Sequence, residues 1–263
     1  MPLGFCSGGF FIEKIIGLII IMKVAIIGYG KMGHTIERIL LERGHDVALI
    51  VDVDNADDLC AEKCAGLDVA IEFSAPDAAF GNVRKCLEMG LPVVCGTTAW
   101  GDRMAEAKEL CEKNNGAFFY SSNYSVGVNV MFALSRKLAK IMNTIGGYSV
   151  SMEETHHIHK KDAPSGTAIT LAEGIIAETD AVSGWTLVEG EGSEPTEGKL
   201  PIVSFREGEV PGIHTVAWDS EVDTITISHS AKSRKGFALG AVIAAEWMNG
   251  KTGWHDFTEV ILS

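Results

Sequence analysis

The chain has 263 residues, of which 46% are hydrophobic, so it can bury the core of one large domain or of two modest ones. Its 22 basic and 35 acidic residues give a formal net charge of −13, which argues against nucleic acid or a membrane surface as a partner. The 6 cysteines show no paired framework, which predicts reduced thiols and a cytoplasmic location. Cys60 and Cys64 are spaced like metal ligands, but no second Cys/His pair follows at ligand spacing, so no metal is expected there.

The first residues are apolar but lack the features of a membrane anchor. Glu13 and Lys14 interrupt the apolar run, and the uninterrupted stretch 15–22 is far short of the about 20 residues that a membrane-spanning helix needs. No small-residue cleavage site precedes the fold, which argues against a signal peptide. Residues 1–21 are therefore expected to be a non-essential N-terminal extension.

From residue 23 onward the pattern is typical of an α/β domain. The β-branched run 23–27 predicts a buried strand, and the amphipathic segment that stops at Gly44 predicts a helix. The alternation continues, with strands predicted at 46–51, 68–74, 92–97 and 117–122 and helices at 77–89 and 101–114. Alternation of this kind favours parallel strands with right-handed crossovers, and hence a Rossmann-like doubly wound parallel sheet.

A glycine-rich turn joins the first predicted strand to the first predicted helix. Its residues are Gly28, Tyr29, Gly30, Lys31, Met32 and Gly33. Glycines in this position let backbone N–H groups at the positive end of the helix approach a pyrophosphate. Asp52 ends the second strand, where a carboxylate can accept a hydrogen bond from an adenosine ribose hydroxyl. The motif predicts a dinucleotide cofactor; the alternative is a tight turn that binds nothing.

The residues around Asp52 favour NADH over NADPH. The stretch VDVDNADD contains no arginine or lysine that could neutralise a 2′-phosphate, and Asp52 and Asp54 would repel one. Lys31 is the only nearby cation that could support NADPH. The expected cofactor is NADH and/or NADPH, with NADH favoured.

The pattern changes after residue 127. A helix at 127–142, a strand and a helix at 165–178 precede strand-like runs at 185–190, 200–208, 212–220 and 223–231. Because successive runs can pair antiparallel, this part is predicted to be an α+β domain with an open mixed sheet used for oligomerisation. An apolar C-terminal helix is expected to pack back on the first domain. The expected division is 22–127 with 235–263 for the dinucleotide-binding domain and 128–234 for the substrate-binding and oligomerisation domain.

The stretch EETHHIHKKDAPSGTA, residues 153–168, concentrates protonatable charge in an acidic chain. A helix that begins at Ser165-Gly166-Thr167 offers backbone N–H donors at its positive end, and Lys160 can bind a carboxylate as a point charge. These donors suit an anionic ligand. The alternatives are a transition-metal site, which the lysines oppose, and a solvated polar loop. Glu153 and Glu154 face opposite sides of a predicted strand and are expected to be structural.

Five further blocks accompany this stretch in order: GYGKMG, EFSAP, GTTAW, SSNYSVGVNV and KSRKGFALGAV. Together they resemble the dihydrodipicolinate reductase family over residues 22–263. The resemblance implies an NAD(P)H-dependent oxidoreductase that reduces a cyclic dicarboxylate, 4-hydroxy-tetrahydrodipicolinate, to tetrahydrodipicolinate in the diaminopimelate route to lysine. It also implies a homotetramer.

The same resemblance assigns roles to individual residues. It implies that hydride goes to ring carbon C4 and that His156 and Lys160 are the proton donors, which suits a histidine that titrates near neutrality. The substrate is expected to contact His157, Lys160, Ser165, Gly166, Thr167 and Arg234. The cofactor is expected to contact the glycine-rich turn and Asp52, together with Phe73, Ser74, Gly96, Thr97, Thr98, Ser122, Asn123 and Tyr124. No metal is expected.

Two other functions stay open at this point. An amino-acid dehydrogenase of the same architecture would use a lone catalytic lysine or histidine in place of the His-His-x-His-Lys run. A catalytically silent NAD-binding regulator would need a damaged proton donor or phosphate-binding turn, and both are intact in this sequence.

Overall fold

The computed structural model describes residues 21–188, 196–233 and 235–262. Two predictions concern residues that are not described. The N-terminal extension lies outside the described residues except for Ile21, and Arg234 also lies outside them. Within the described ranges, no helix has the length and apolar character needed to cross a bilayer.

The first half of the chain alternates strands with helices, as predicted. Its elements are β1 (Lys23–Ile27), α1 (Lys31–Glu42), β2 (Asp46–Val51), α2 (Ala61–Cys64), β3 (Val69–Glu72), α3 (Pro76–Glu88), β4 (Val93–Cys95), α4 (Met104–Lys113) and β5 (Ala117–Tyr120). Short 3-10 turns cover Val53–Asp58 and Gly101–Arg103. The predicted helix at 101–114 therefore begins as a 3-10 turn and becomes α-helical at Met104.

The second half contains α5 (Val126–Ile145), β6 (Ser149–His156), α6 (Gly166–Ile176), β7 (Trp185–Val188), β8 (Leu200–Arg206), β9 (Ile213–Asp219), β10 (Thr224–Ser230), α7 (Lys235–Met248), β11 (Gly253–His255) and α8 (Phe257–Leu262). The sequence did not predict β11 and α8. A strand of 3 residues is too short for its side-chain alternation to be recognised.

The first sheet confirms the doubly wound architecture. Its strand order is β11-β5-β4-β3-β1-β2, and every neighbouring pair is parallel. Helices α1 and α7 cover one face, where Ile36 and Ala241 are buried, and α3 and α4 cover the other, where Val83 and Cys111 are buried. Each fully buried aliphatic side chain stabilises the fold by roughly 1.5–3 kcal/mol.

Helix α7 approaches the start of α5 very closely. A Cβ added to Gly240 would lie 1.7 Å from the carbonyl oxygen of Tyr124, so this helix position has room for glycine alone. Together with α8, α7 buries a run of alanines, Val242 and Met248 against the first sheet. The last elements of the chain thus complete the core that its first elements began.

The second sheet is mixed, with strand order β10-β9-β6-β8-β7. The prediction that successive runs pair antiparallel holds for β9 and β10 but is wrong for β7 and β8, which pair in parallel with Trp185 opposite Leu200. Apolar alternation identifies a strand but does not encode its direction.

Helices α5 and α6 cover one face of this sheet and bury Met131, Leu171 and Trp218 against it. The opposite face carries Val203 and Phe205, and Phe205 is 47% exposed. The second sheet is therefore open on one side, as the sequence predicted.

Candidate functional site

The carboxyl ends of β1, β3, β4 and β5 lie side by side at one edge of the first sheet, because these strands are parallel neighbours. The predicted cofactor residues follow these ends: Gly28 to Gly33 after β1, Phe73 and Ser74 after β3, Gly96, Thr97 and Thr98 after β4, and Ser122, Asn123 and Tyr124 after β5. Asp52 directly follows the neighbouring β2. The fold thus gathers residues that are far apart in the sequence along a single edge.

The three glycines of the turn have different structural roles. A Cβ on Gly28, which has φ +89°, would lie 2.2 Å from the carbonyl oxygen of Phe73, and a Cβ on Gly33 would lie 2.4 Å from the carbonyl oxygen of Gly28. Both positions are therefore fixed by backbone packing. A Cβ on Gly30 would meet nothing within 4 Å in the described structure. Packing does not explain Gly30, and the open space leaves its backbone accessible to a ligand.

The loops after β3 and β4 hold each other in place. The backbone N–H of Ser74 donates to Oγ1 of Thr97 at 2.8 Å, and the hydroxyl of Ser74 donates to the fully buried carboxylate of Glu72. The ring of Phe73 lies over Gly96, where an added Cβ would be 2.2 Å from it. Thr97 and Phe73 therefore shape the sheet edge.

Tyr124 and Asn123 differ in what they can offer a ligand. Tyr124 is 2% exposed, its hydroxyl donates to the carbonyl of Cys95 at 2.8 Å, and burial raises its pKa well above the usual value. Its side chain is therefore structural. Asn123 is half-buried, and its Nδ2 donates to Oγ1 of Thr167 at 3.2 Å. This bond connects the edge of the first sheet to the start of α6.

At the far end of the same edge, Asp52 and Lys31 are both exposed. The backbone N–H of Asp52 donates to Oδ1 of Asn55 at 2.7 Å, which fixes the turn after β2. The Asp52 carboxylate lies at the end of β2, where the sequence predicts the acceptor for a ribose hydroxyl.

The histidine run does not form one patch. His156 is the last residue of β6 and is buried, with 7% of its surface exposed, while His157 is half-buried. His159 is exposed and lies 3.4 Å from Glu209, and Lys161 is also exposed. Of the three histidines, only His156 and His157 can therefore belong to an enclosed site.

The start of α6 is attached to β6 through Ser165. Its backbone N–H donates to both carboxylate oxygens of Glu154, at 3.0 and 3.1 Å, and its hydroxyl also bonds to Glu154. Ser165 is buried and its donors are already engaged, so they are not free for a ligand. Gly166 and Thr167 are the first helical residues, so their N–H groups have no partner within the helix.

Lys160 is held by its own loop. Its Nζ lies 2.8 Å from both carboxylate oxygens of Asp162, and Arg206 donates from Nη2 to the carbonyl of Asp162 at 2.5 Å. The same guanidinium lies 3.5 Å from Glu154. The site therefore contains two cations, each facing a carboxylate, rather than an excess of positive charge.

Sequence reasoning missed Arg206 and His214, which lie on β8 and β9. Their strands flank β6, and the pairing of His156 with Arg206 and of Glu154 with His214 brings both side chains to the site. Because strand pairing was not predictable, no signal in the sequence linked these residues to the histidine run.

Glu154, His156 and His214 converge, with one potential ligand atom from each lying within 4.8 Å of the others. This spacing would suit a divalent ion. However, the carboxylate of Glu154 already accepts hydrogen bonds from Ser165 and from Ser204, the latter at 2.8 Å, and the Arg206 cation stands beside it. The residues form a hydrogen-bonded network and do not fit a resident metal.

Burial lowers the pKa of His156 to about 4, against the opposing effect of Glu154. This differs from the expected titration near neutrality, because strand β6 places the ring inside the protein. Burial would raise the pKa of Glu154, but hydrogen bonds from His214 and Ser165 outweigh it and hold that pKa well below the usual range. At neutral pH the free protein therefore has an ionised Glu154 beside a neutral His156.

These shifts predict that acid destabilises the fold. Between pH 6.5 and 4 the unfolded chain binds a proton at His156 that the folded chain does not. The free energy of unfolding therefore decreases by on the order of 3 kcal/mol as the pH is lowered through this range. The stabilisation from ionised Glu154 is present above its unfolded pKa of about 4.3 and is lost below it. Urea unfolding from pH 7 to 4 measures this slope. His156→Gln should reduce the slope above pH 4.5 without abolishing it, because burial also lowers the pKa of His229. Exposed His159→Gln should leave the slope unchanged, and equal slopes in all three proteins would contradict the assignment.

Comparison with known proteins gives a consistent result over both domains. The family described as dihydrodipicolinate reductase, N-terminus, matches residues 22–124, and dihydrodipicolinate reductase, C-terminus, matches residues 127–261. The 4-hydroxy-tetrahydrodipicolinate reductase of Christiangramia forsetii is 48% identical over 242 residues, which cover 91% of this chain and 98% of that protein. The protein of the same name from Neisseria meningitidis serogroup B is 34% identical over 88% of this chain and 86% of its own length.

Solved structures share the fold over most of the chain, among them the following reductase. It is a dipicolinate-bound dihydrodipicolinate reductase from Paenisporosarcina sp. TG-14, with a TM-score of 0.74 and 21% identity. The match covers 90% of this chain and 98% of that one.

Proposed function

The chain belongs to the dihydrodipicolinate reductase family, and from that premise we propose how its residues carry out the reaction. The protein is a pyridine-nucleotide-dependent oxidoreductase that reduces 4-hydroxy-tetrahydrodipicolinate to tetrahydrodipicolinate in the diaminopimelate route to lysine. The observation that carries the mechanism is the Asn123–Thr167 hydrogen bond, 3.2 Å long, which joins the sheet edge to the start of α6. No observation favours the amino-acid dehydrogenase or the silent regulator.

The substrate is a cyclic dicarboxylate held at the start of α6. One carboxylate accepts hydrogen bonds from the free N–H groups of Gly166 and Thr167, where the helix dipole adds favourable charge. The second carboxylate binds Lys160 and replaces Asp162 as its partner. Asp162 is 59% exposed at its side chain, so it can turn to solvent when the substrate arrives.

Gly30, Ser74 and Asn123 would hold the cofactor along the carboxyl edge of the first sheet. The C4 hydroxyl first leaves as water together with a hydrogen from the adjacent C3, which produces a C3=C4 double bond conjugated with the ring imine. When bound, a reduced nicotinamide supplies the hydride that adds to C4. The adjacent carbon C3 then needs a proton. His156 and Lys160 are the two donors on the substrate side of the site.

His156 takes up its proton when the substrate binds. The ring is neutral in the free protein at pH 7 because burial lowers its pKa. A dianionic substrate places two negative charges next to the ring and thereby favours the imidazolium. Lys160, which contacts the same substrate, carries the charge that orients the carboxylate and supports the transfer.

A coupled assay tests the function and the cofactor preference. The preceding synthase generates the substrate from pyruvate and aspartate semialdehyde, and oxidation of NADH and NADPH is followed separately. We expect a higher kcat/KM with NADH. Asp52→Ala should lower kcat/KM with NADH by about 10-fold, the value of one charge-assisted hydrogen bond, and raise it with NADPH, because one carboxylate that repels the 2′-phosphate is removed.

Asp57→Ala is the matched control, because Asp57 is exposed in the same turn. It should behave like the wild-type protein. A much larger kcat/KM with NADPH would refute the preference for NADH, and no oxidation of either cofactor would refute the reaction.

The protein acts as a cytoplasmic homotetramer. The five described cysteines are free, and four of them are buried, as suits a reducing compartment. The open face of the second sheet carries the apolar Val203 and Phe205, which a second copy of the chain can cover. Light scattering on the purified protein measures the oligomeric state directly, and a monomer would exclude this assembly.

A further inference from the structure

Among the described residues of the second domain, Glu154 is the most completely buried charged group, with 1% of its surface exposed. It lies on β6 two residues before His156, so both side chains project from the same face of the strand. Its carboxylate bonds to the backbone N–H and the hydroxyl of Ser165, and Ser204 donates to it at 2.8 Å. These bonds link three separate segments of the chain.

The link joins the two halves of the proposed substrate site. The proton donor His156 is at the end of β6, and the N–H donors Gly166 and Thr167 are at the start of α6. The intervening residues 157–165 form a loop with exposed positions at 158, 159 and 161–163. Such a loop cannot by itself fix the distance between donor and substrate, whereas the buried carboxylate ties both ends of it together.

His214 supports the same point from the neighbouring strand. It pairs with Glu154 in the register of β6 and β9, and its Nε2 lies 3.1 Å from Oγ of Ser165 and 3.6 Å from the Glu154 carboxylate. Its ring also packs edge-on against His156, with 5.1 Å between the ring centroids. His214 therefore contacts the donor, the carboxylate and the cap of α6 at once.

The negative charge of Glu154 also affects the protonation of His156. Nδ1 of His156 lies 3.6 Å from Glu154 and has no hydrogen-bond partner in the described part of the chain. Three further titratable or cationic groups face this ring: Lys160 from the loop, Arg206 from β8 and His214 from β9. All three disfavour a positive charge on His156, and Glu154 is the group that opposes them.

We propose that Glu154 and His214 are positioning residues of the reductase: they hold His156 in place relative to the start of α6, and the charge of Glu154 allows His156 to become protonated when the substrate binds. The inference rests on the proposed function. Neither residue touches the substrate, so their effect passes through His156 and Ser165.

Three variants separate position from charge. Glu154→Gln keeps the size and an acceptor oxygen but removes the charge. We expect kcat to fall by about 10-fold or more and the alkaline limb of its pH profile to move to lower pH by about one unit, because the protonated donor is less stable. Glu154→Asp keeps the charge but withdraws it by one methylene; here the limb should stay in place while KM for the substrate rises. His214→Asn should also raise KM more than it lowers kcat.

Glu153→Gln is the matched control, because Glu153 is the exposed neighbour on the opposite face of β6. It should leave kcat, KM and the pH profile unchanged. The affinity for NADH, measured by fluorescence, should be the same in all variants, since the changes lie in the second domain. Thermal melting identifies a variant that does not fold, in which case Glu154→Asp and His214→Asn decide the matter through KM.

The measurements distinguish a failure of the proposed function from a failure of this inference alone. A wild-type protein without reductase activity overturns the proposed function and this inference with it. An active wild-type protein whose Glu154→Gln variant folds and keeps its kcat and its alkaline limb overturns this inference alone. If KM for the substrate is unchanged in both Glu154→Asp and His214→Asn, the positioning role is overturned.

Discussion

Replacing His156 with glutamine is expected to lower kcat by about 100-fold or more, the usual effect of removing an acid or base from a reaction. The glutamine amide fits the buried position at the end of β6 but cannot deliver a proton to the substrate. Lys160→Ala is expected to lower kcat on a similar scale and also to raise KM, because the lysine binds a substrate carboxylate. Steady-state kinetics with saturating NADH measures both variants.

His159→Gln is the control for these variants, since His159 belongs to the same run but is exposed and faces Glu209. Its kinetics should match those of the wild-type protein. Near-normal kcat in both His156→Gln and Lys160→Ala would remove the catalytic assignment.

Two alanine substitutions in the glycine-rich turn are expected to affect different properties, one the stability of the fold and the other the binding of the cofactor. Gly28→Ala should destabilise the fold by about 3 kcal/mol or more, because the new Cβ would lie 2.2 Å from a backbone carbonyl and φ is +89°. Gly30→Ala should leave stability nearly unchanged, because its Cβ meets nothing within 4 Å. It should instead raise KM for NADH by about 10-fold or more, because a methyl group keeps the phosphate from the backbone N–H groups.

Urea unfolding and NADH titration distinguish the two substitutions. A Gly30→Ala protein that binds NADH with wild-type affinity would show that this part of the turn does not approach the cofactor. A stable Gly28→Ala protein would contradict the close contact with Phe73.

The first domain was predictable from the sequence because its signals are local. Runs of apolar residues identify buried strands, and the glycine-rich turn reports a backbone conformation within six residues. The roles of Gly28 and Gly33 in packing, and the open space at Gly30, could be assigned only once Phe73 was placed beside the turn.

The second domain was less predictable because its site depends on strand pairing. Arg206 and His214 lie about 50 residues after the histidine run and reach it only through the register of β8 and β9 with β6. The sequence also placed Ser165 among the substrate contacts, whereas the structure shows its donors bonded to Glu154. Strand β6 ends at His156, and this end determines which histidines of the run face inward.

Helix α7 and strand β11 have a consequence for the order in which the protein can mature during translation. A ribosome synthesises residues 23–120 early, but one face of their sheet, covered by α1 and α7 together, lacks α7 until residues 235–255 leave the exit tunnel. By then the whole second domain has been made. Part of the apolar face of the nucleotide-binding half therefore stays uncovered during synthesis of the second domain, and a chaperone can bind it in that interval.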